Sequence, residues 1–241
     1  MCLALFVPLA FSEGSAEEDP LGSFAVRHGS RNSNQVAITM DDIFETEYAW
    51  KSVELCRKYG VAMTFFPIGI ILKEKEREEW KDLISSGCEI GCHSLNHLPF
   101  YGISESSAIR RLGRFQEKLD EVLGFHYQAR WFRPPYGKIK SAANDNSRVI
   151  ERAIRKFGYS NIILWDVSET NATKAIKKVK NGSILLFHAR KKDYECLVDL
   201  IPQLQEAGFK PVTVSKLFGF DSPKVSDELY SFNINDYRKA P

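Results

Sequence analysis

From Val36 onward, seven short apolar runs alternate with longer stretches of helical period, and this alternation leaves few architectures open. The runs cover 36–40, 62–66, 89–92, 130–132, 162–165, 184–187 and 211–214. Their length and their Val, Ile and Phe content suit strands buried on both faces. Between them, Tyr194, Leu197, Val198, Ile201 and Leu204 recur at three- and four-residue steps. Ser104 opens a second such stretch, which carries Ile109, Leu112, Leu119 and Val122. Gly60, Gly87, Gly158 and Gly208 stand where a helix would stop before the next strand. Strands alternating with helices imply parallel βα units. No linker rich in Pro, Gly or Ser divides them, so one α/β barrel-like domain is expected over 36–220. A lead-in, 1–35, would precede it, and a polar tail, 221–241, would follow, held to the barrel by Tyr230 and Phe232.

The residues that close these runs carry chemistry. Asp41 and Asp42 follow the first run, His93 the third, Arg133 the fourth, Asp166 the fifth and His188 the sixth. In a parallel βα barrel, catalytic groups sit where strands hand over to loops at the carboxyl face. Taken singly, an Asp there is a helix cap and a His a hydrogen-bonded structural residue. Five strand ends with an ionisable group point instead to one site. His93-Ser-Leu-Asn-His97 offers two imidazoles on one face if the segment turns helically. An aspartate would complete a three-ligand set that leaves positions open. Two imidazoles and a carboxylate suit zinc, and also iron, cobalt or nickel. The other aspartate remains available as a base.

At 241 residues, with 44% hydrophobic and 27% charged residues, the composition is that of an ordinary globular protein. Net charge is only +2, and no long basic run with interleaved aromatics is present, so nucleic acid is not the expected partner. Lysines and arginines nevertheless crowd the second half, Lys138, Lys140 and Arg148 among them. They read as solvated faces, with an anionic polymer near the site as the alternative. The apolar stretch 2–11 is too short to span a bilayer. It has the look of a secretory signal without its basic start, so a secreted or cell-envelope location is expected. Cys88 and Cys92 would lie about 13 Å apart on an extended strand, too far to bridge. Small buried side chains are the expected role of the cysteines.

The motifs together resemble those of the NodB-type polysaccharide deacetylases, carbohydrate esterase family four. Thr39-Met-Asp-Asp42 is similar to the family's T-F-D-D, His93-Ser-Leu-Asn-His97 to H-[ST]-x-x-H, Arg133-Pro-Pro-Tyr-Gly137 to R-P-P-Y-G, and Leu186-Phe-His188 to L-x-H. The resemblance implies a distorted (β/α) barrel that removes acetyl groups from N-acetylglucosamine-containing glycans such as peptidoglycan or chitin oligomers; separately, a monomer is expected. It implies one divalent ion, zinc first, held by Asp42, His93 and His97. Asp41 would be the base, oriented by Arg133, and His188 the acid. The N–H of Tyr136 would meet the oxyanion, with Pro135 stiffening its turn. Leu186 and Trp165 would border the acetyl group.

Two departures from the family pattern matter. Ile43 and Phe44 replace a Gly and an adjoining Pro, and are expected to crowd the mouth of the site. Asn171 and Ala172 replace the Asp-Trp of the fourth motif, leaving Asp166 as the carboxylate expected to orient His188. An O-acetyl esterase acting on xylan, and a carbohydrate-binding relative without turnover, are the alternatives.

Overall fold

The computed structural model describes residues 24–237 except 144 and 146. The apolar stretch 2–11, read above as an export signal, lies outside the described residues. The strands are β1 (Ala25–Val26), β2 (Gln35–Asp42), β3 (Thr64–Pro67), β4 (Glu89–Ile90), β5 (His126–Tyr127), β6 (Ile162–Ile163), β7 (Ile184–His188), β8 (Lys210–Val212) and β9 (Val225–Ser226). The helices are α1 (Thr46–Tyr59), α2 (Arg77–Ser85), α3 (Glu105–Leu123), α4 (Ser147–Phe157), α5 (Ala172–Ile176), α6 (Lys191–Glu206) and α7 (Val214–Leu217).

β2 is the centre of the sheet. It pairs in parallel with β3 on one edge and β7 on the other, while β8 joins it near its start. β4 continues the sheet beyond β3. Single parallel bridges, Cys92 to Phe132 and Phe132 to Ile162, carry it on to β6, which also pairs with β1. A further bridge from Val167 to Leu185 returns to β7 and closes the ring. The result is the expected distorted βα barrel, with β5 and β9 forming a small antiparallel ribbon outside it.

Most of the expected strands fall short of their apolar runs, two of them for clear local reasons. The run at 130–132 contributes only the bridges of Phe132. Pro134 and Pro135 follow at once, have no N–H to donate, and stop the ladder. At 211–214 the Thr213 hydroxyl accepts from the Lys216 N–H at 3.2 Å, which takes Val214 into α7 instead of β8. β1 is an addition: it lies before residue 36, yet its pairing with β6 makes it part of the barrel wall.

β2 is buried from Val36 to Asp42, and apolar side chains of β3, β4 and β7 are almost wholly enclosed with it. Helices pack their apolar stripes on this wall. Leu112, Phe115, Leu119 and Val122 do so from α3, and Leu197, Leu200, Ile201 and Leu204 from α6. The helix starts and stops follow the sequence signals. Ser104 caps α3 by accepting from the Ser107 N–H at 3.2 Å, and Gly60 ends α1 in the left-handed region at φ +63°. The tail is folded onto α3 and α4. Tyr230 donates its N–H to Asp120 at 3.0 Å, and its ring meets Phe157 edge-on. The ring of Phe232 covers Gly113, where any Cβ would clash at 2.0 Å.

Buried carboxylate chemistry also anchors the opposite, amino end of the barrel. Glu89 is enclosed and accepts from the Thr64 hydroxyl (2.8 Å), the Ser215 N–H (3.1 Å) and the Ser215 hydroxyl. Burial raises its pKa. This knot ties β3, β4 and α7 together well away from the strand ends that carry the site.

Candidate active site

The site is built on the carboxyl ends of β2, β7, β4 and the Phe132 strand. Neighbouring residues on a strand point to opposite faces, so Asp41 and Asp42 could not both face one centre if β2 ran straight. It does not. Ile43 donates its N–H to the Asp41 carbonyl at 2.8 Å, an i to i+2 turn centred on Asp42, whose φ is +66°. Turns of this kind are rare and strained. Here the turn brings both carboxylates to His93, whose Nε2 lies 3.9 Å from Asp41 Oδ2 and 3.3 Å from Asp42 Oδ1.

His93 is fixed from behind. Its Nδ1–H donates to the Arg133 carbonyl at 2.8 Å, because a carbonyl can only accept. Nε2 is thereby left as the free ligand atom, the tautomer that metal-binding imidazoles adopt. His97 brings its Nε2 to 3.4 Å from Asp42 Oδ1. The segment between the two histidines does not turn helically. It is a loop with left-handed backbone at Ser94 (φ +72°) and His97 (φ +56°), and this folds the second ring over the first at 5.1 Å between centroids.

Ligand atoms of Asp42, His93 and His97 all fall within 4.8 Å of one another. Asp42 Oδ1 is buried and has no hydrogen-bond partner. A buried carboxylate oxygen left so, faced by two imidazole nitrogens, fits a divalent cation among them. Burial pushes the Asp42 pKa up, but the facing imidazoles, His93 first, outweigh it and the net shift is downward. Burial, then the neighbouring His93, lowers the pKa of His97, which keeps the ring neutral and able to ligate. Cys92 adjoins this set but stays out of it. Burial pushes its thiol up to about 12, and its sulfur accepts from the Ser94 N–H at 3.3 Å.

Asp41 is held by Arg133, which is wholly buried. The guanidinium donates from Nη1 to Asp41 Oδ1 (2.6 Å) and the Thr39 hydroxyl (2.8 Å), from Nε to the Ile163 carbonyl (2.9 Å), and from Nη2 to the Leu164 carbonyl (3.2 Å). It also lies over the rings of Phe66 and Trp165, at 4.3 and 5.6 Å. Few side chains other than arginine could serve so many acceptors in one plane.

His188 is the strand partner of Asp41 in the parallel β2–β7 ladder, and Leu186 pairs with Thr39 two residues below. Side chains at paired positions share a face, so Asp41 and His188 flank the same space with Leu186 beneath them.

The carboxylate that tunes His188 is not the expected one. Asp166 accepts from Arg31 (2.9 Å) and the Ser183 hydroxyl (3.0 Å) on one oxygen and from the Ile184 N–H (2.8 Å) on the other. Beyond β6 the chain bends to pair Val167 with Leu185, which leaves Asp166 at the start of β7, four residues below His188. Asn171 is likewise elsewhere, capping α5 through the Lys174 N–H at 3.0 Å. Asp193 takes the role. From the first turn of α6 its Oδ2 accepts the His188 N–H at 2.6 Å and lies 3.6 Å from His188 Nδ1. This interaction raises the His188 pKa, partly offset by burial. An acidic residue in a helix's first turn, five positions after a strand-end His, was the available sequence signal.

The crowding of the mouth expected of Ile43 does not arise. Ile43 is buried in the core despite its left-handed φ of +64°, and only Phe44 projects, 61% exposed. Tyr136 sits in the turn Pro135–Gly137 at φ +62°, its ring edge-on to His97 at 4.7 Å. Trp165 supports that turn from below: a Cβ on Gly137 would meet its ring at 2.7 Å.

The pattern of the polysaccharide deacetylase family matches residues 28–162. A peptidoglycan-N-acetylglucosamine deacetylase of Bacillus cereus is 28% identical over 212 residues, which cover 78% of this chain and 90% of that protein. The uncharacterized protein YlxY of Bacillus subtilis is 26% identical over 198 residues, covering 78% of this chain and 59% of YlxY. Among solved structures, the Bc1960 peptidoglycan N-acetylglucosamine deacetylase superposes with a TM-score of 0.71 at 22% identity, over 91% of this chain and 100% of that one. A CE4 family pseudoenzyme from Bacillus anthracis superposes with a TM-score of 0.69 at 22% identity, over 80% and 68%. A barrel of this kind, with four motifs converging on one set of strand ends and more than half the chain matching the family pattern, places this protein in the polysaccharide deacetylase family.

Proposed function

We propose that this protein hydrolyses the acetamide of N-acetylglucosamine-containing glycans, with peptidoglycan and chitin oligomers as the substrate class. The observation that carries this is the joint geometry of one orphaned carboxylate oxygen at two imidazoles beside a second, arginine-held carboxylate and a carboxylate-tuned histidine. The names of its relatives, several of them peptidoglycan deacetylases, support the same substrate class and an extracellular or envelope location.

Asp42, His93 and His97 would hold a divalent cation, zinc being our first choice and cobalt, nickel or iron chemically admissible. When bound, such an ion supplies a Lewis acid for the acetyl carbonyl and for water. The chain's own groups do the rest. Arg133 fixes the Asp41 carboxylate so that it can take a proton from the attacking water. Tyr136, in its proline-stiffened turn, offers a backbone N–H to the oxygen on which charge develops. His188, kept protonated to higher pH by Asp193, gives a proton to the departing sugar nitrogen, which is a poor leaving group without it. Leu186 and Trp165 supply apolar surface beside the acetyl methyl.

The carboxylate partner of His188 favours amide over ester hydrolysis, because an ester needs less help from an acid. The intact base and ligand positions argue against a carbohydrate-binding relative without turnover. The test is acetate release from N-acetylglucosamine oligomers and peptidoglycan, compared with acetylated xylan. Release that is lost in Asp41→Asn and on chelation is expected. Acetate from xylan alone, or none from any substrate by the metal-loaded protein, would overturn the reading.

A further inference from the structure

A second feature of the carboxyl face adjoins the site and has no part in the chemistry above. The loop after Tyr136, the end of β1 and the end of β6 enclose a cleft of about 880 Å³. Its position follows from the barrel. Arg27 immediately follows β1, Leu164 follows β6, and Gly137 and Lys138 leave the turn that carries Tyr136. The cleft and the site share a wall: Arg133 lies over the Trp165 ring, and that ring packs on Gly137, which lines the cleft.

Three cations face this space: Arg27, Lys138 and Lys140. Lys138 leaves the turn with extended backbone (φ −130°, ψ 132°), and the chain bends at Ile139 before Lys140, which lines the same cleft. Arg27 is steadied by a 3.4 Å hydrogen bond to the Trp165 carbonyl. Among the described residues none of the three has a salt bridge. The one acid in the lining, Asp145, accepts from the Ser147 hydroxyl (2.6 Å) and N–H (3.2 Å) on one oxygen; its backbone bridges to Lys140, whose charge it partly offsets, so the lining keeps a net positive charge. Tyr101 and Ile139 add a ring and an aliphatic face to the cationic rim. Cations beside apolar surface in a concave wall suit a sugar or short peptide that bears carboxylates, and suit a neutral polymer poorly.

We propose that this cleft is a substrate subsite for a carboxylate-bearing unit next to the acetylated sugar, which makes the preferred substrate an acidic glycan and not a neutral one. The inference rests on the deacetylase reading for its location and adds the charge of the substrate. In peptidoglycan the carboxylate has two sources, the lactyl ether on alternate sugars and the peptide stem attached to it. Both present the same group to Arg27, Lys138 and Lys140.

The experiment is equilibrium binding to the metal-loaded full chain, with acetate release read in parallel. Three ligands of equal sugar length are compared: a neutral N-acetylglucosamine oligomer, an oligomer with free lactyl carboxylates, and one whose lactyl groups carry peptide stems. At low salt the acidic ligands should bind roughly tenfold more tightly, about threefold for each lysine engaged. The preference should shrink as salt shortens the screening length, and collapse towards one in Lys138→Glu/Lys140→Glu. Lys138→Gln/Lys140→Gln, a milder change, should remove most of it if charge reversal disturbs the loop. Preference for the stem-free acid assigns the lactyl source, and preference confined to the stem-bearing ligand assigns the peptide. Equal binding of acidic and neutral oligomers, no binding of either, or a preference that survives both double variants, overturns the proposal. Acidic preference without acetate release would instead overturn the deacetylase reading and leave this one standing.

Discussion

Replacing Arg133 should unsettle the protein more than replacing any exposed arginine, and the size of the effect follows from its surroundings. Arg133→Met removes a fully buried cation that serves Asp41, Thr39 and two backbone carbonyls. Asp41 is 3% exposed, so its charge would be left buried without a partner. Breaking a buried pair from one side costs about 3–5 kcal/mol. For a chain of this size that corresponds to a fall in melting temperature of roughly 6–20 °C. Arg133→Lys keeps the charge but not the planar fork, so it should recover only part of the loss. Combining Arg133→Met with Asp41→Asn should restore roughly 2 kcal/mol of the summed cost, within the range for residues in contact. Urea or thermal unfolding of the natural chain, Arg133→Met, Arg133→Lys, Asp41→Asn and the double variant measures all of this. A loss below about 1 kcal/mol, the size expected of an exposed pair, or no coupling between the two positions, would refute the reasoning.

Other consequences can be checked as directly. Asp193→Asn should shift the alkaline limb of the activity profile to lower pH, because Asp193 is what raises the His188 pKa. The stability effect has a definite sign. A raised folded-state pKa stabilises fully below the unfolded value of about 6.5 and ceases to do so as pH rises through the folded one. Asp193→Asn should therefore cost more stability in mild acid than in alkali, and an equal cost at both would contradict the assignment. Gly91→Ala should drive a Cβ into the Phe66 ring, which stands only 2.3 Å from that position and lies beneath the Arg133 guanidinium. About 1–3 kcal/mol of overpacking is expected, with a fall in turnover at temperatures where the protein is still folded. Unchanged turnover would mean that Phe66 does not hold Arg133 in place.

What the sequence disclosed and what it hid have physical causes. Strand ends were legible because strands buried on both faces leave continuous apolar runs, and the first ionisable residue after each run marks the rim. That is how Asp41, Asp42, His93, Arg133 and His188 could be assigned to one face. Asp166 satisfied the same rule and misled, because the chain bends after β6 and returns to the bottom of β7. Periodicity carries no trace of such a bend. Asp193 was hidden for the opposite reason: it belongs to a helix, and only its first-turn position lets its carboxylate reach back to His188. The looping of His93–His97 and the strained turn at Asp42 rest on left-handed backbone at non-glycine residues. Asp and His enter that conformation more readily than most residues, but the tendency is too weak to mark it in a sequence, and such strain persists where surrounding structure enforces it.

The ion itself offers the most direct test. Elemental analysis of the purified full chain after loading and desalting should give one divalent ion per molecule, with a melting temperature above that of the chelated protein. Saturation at about a hundred times the dissociation constant would contribute ~2.7 kcal/mol. Asp42→Ala and His93→Ala should each remain folded and lose the ion. Failure of the natural chain to take up metal, or full occupancy in both variants, would contradict the shared site of Asp42, His93 and His97.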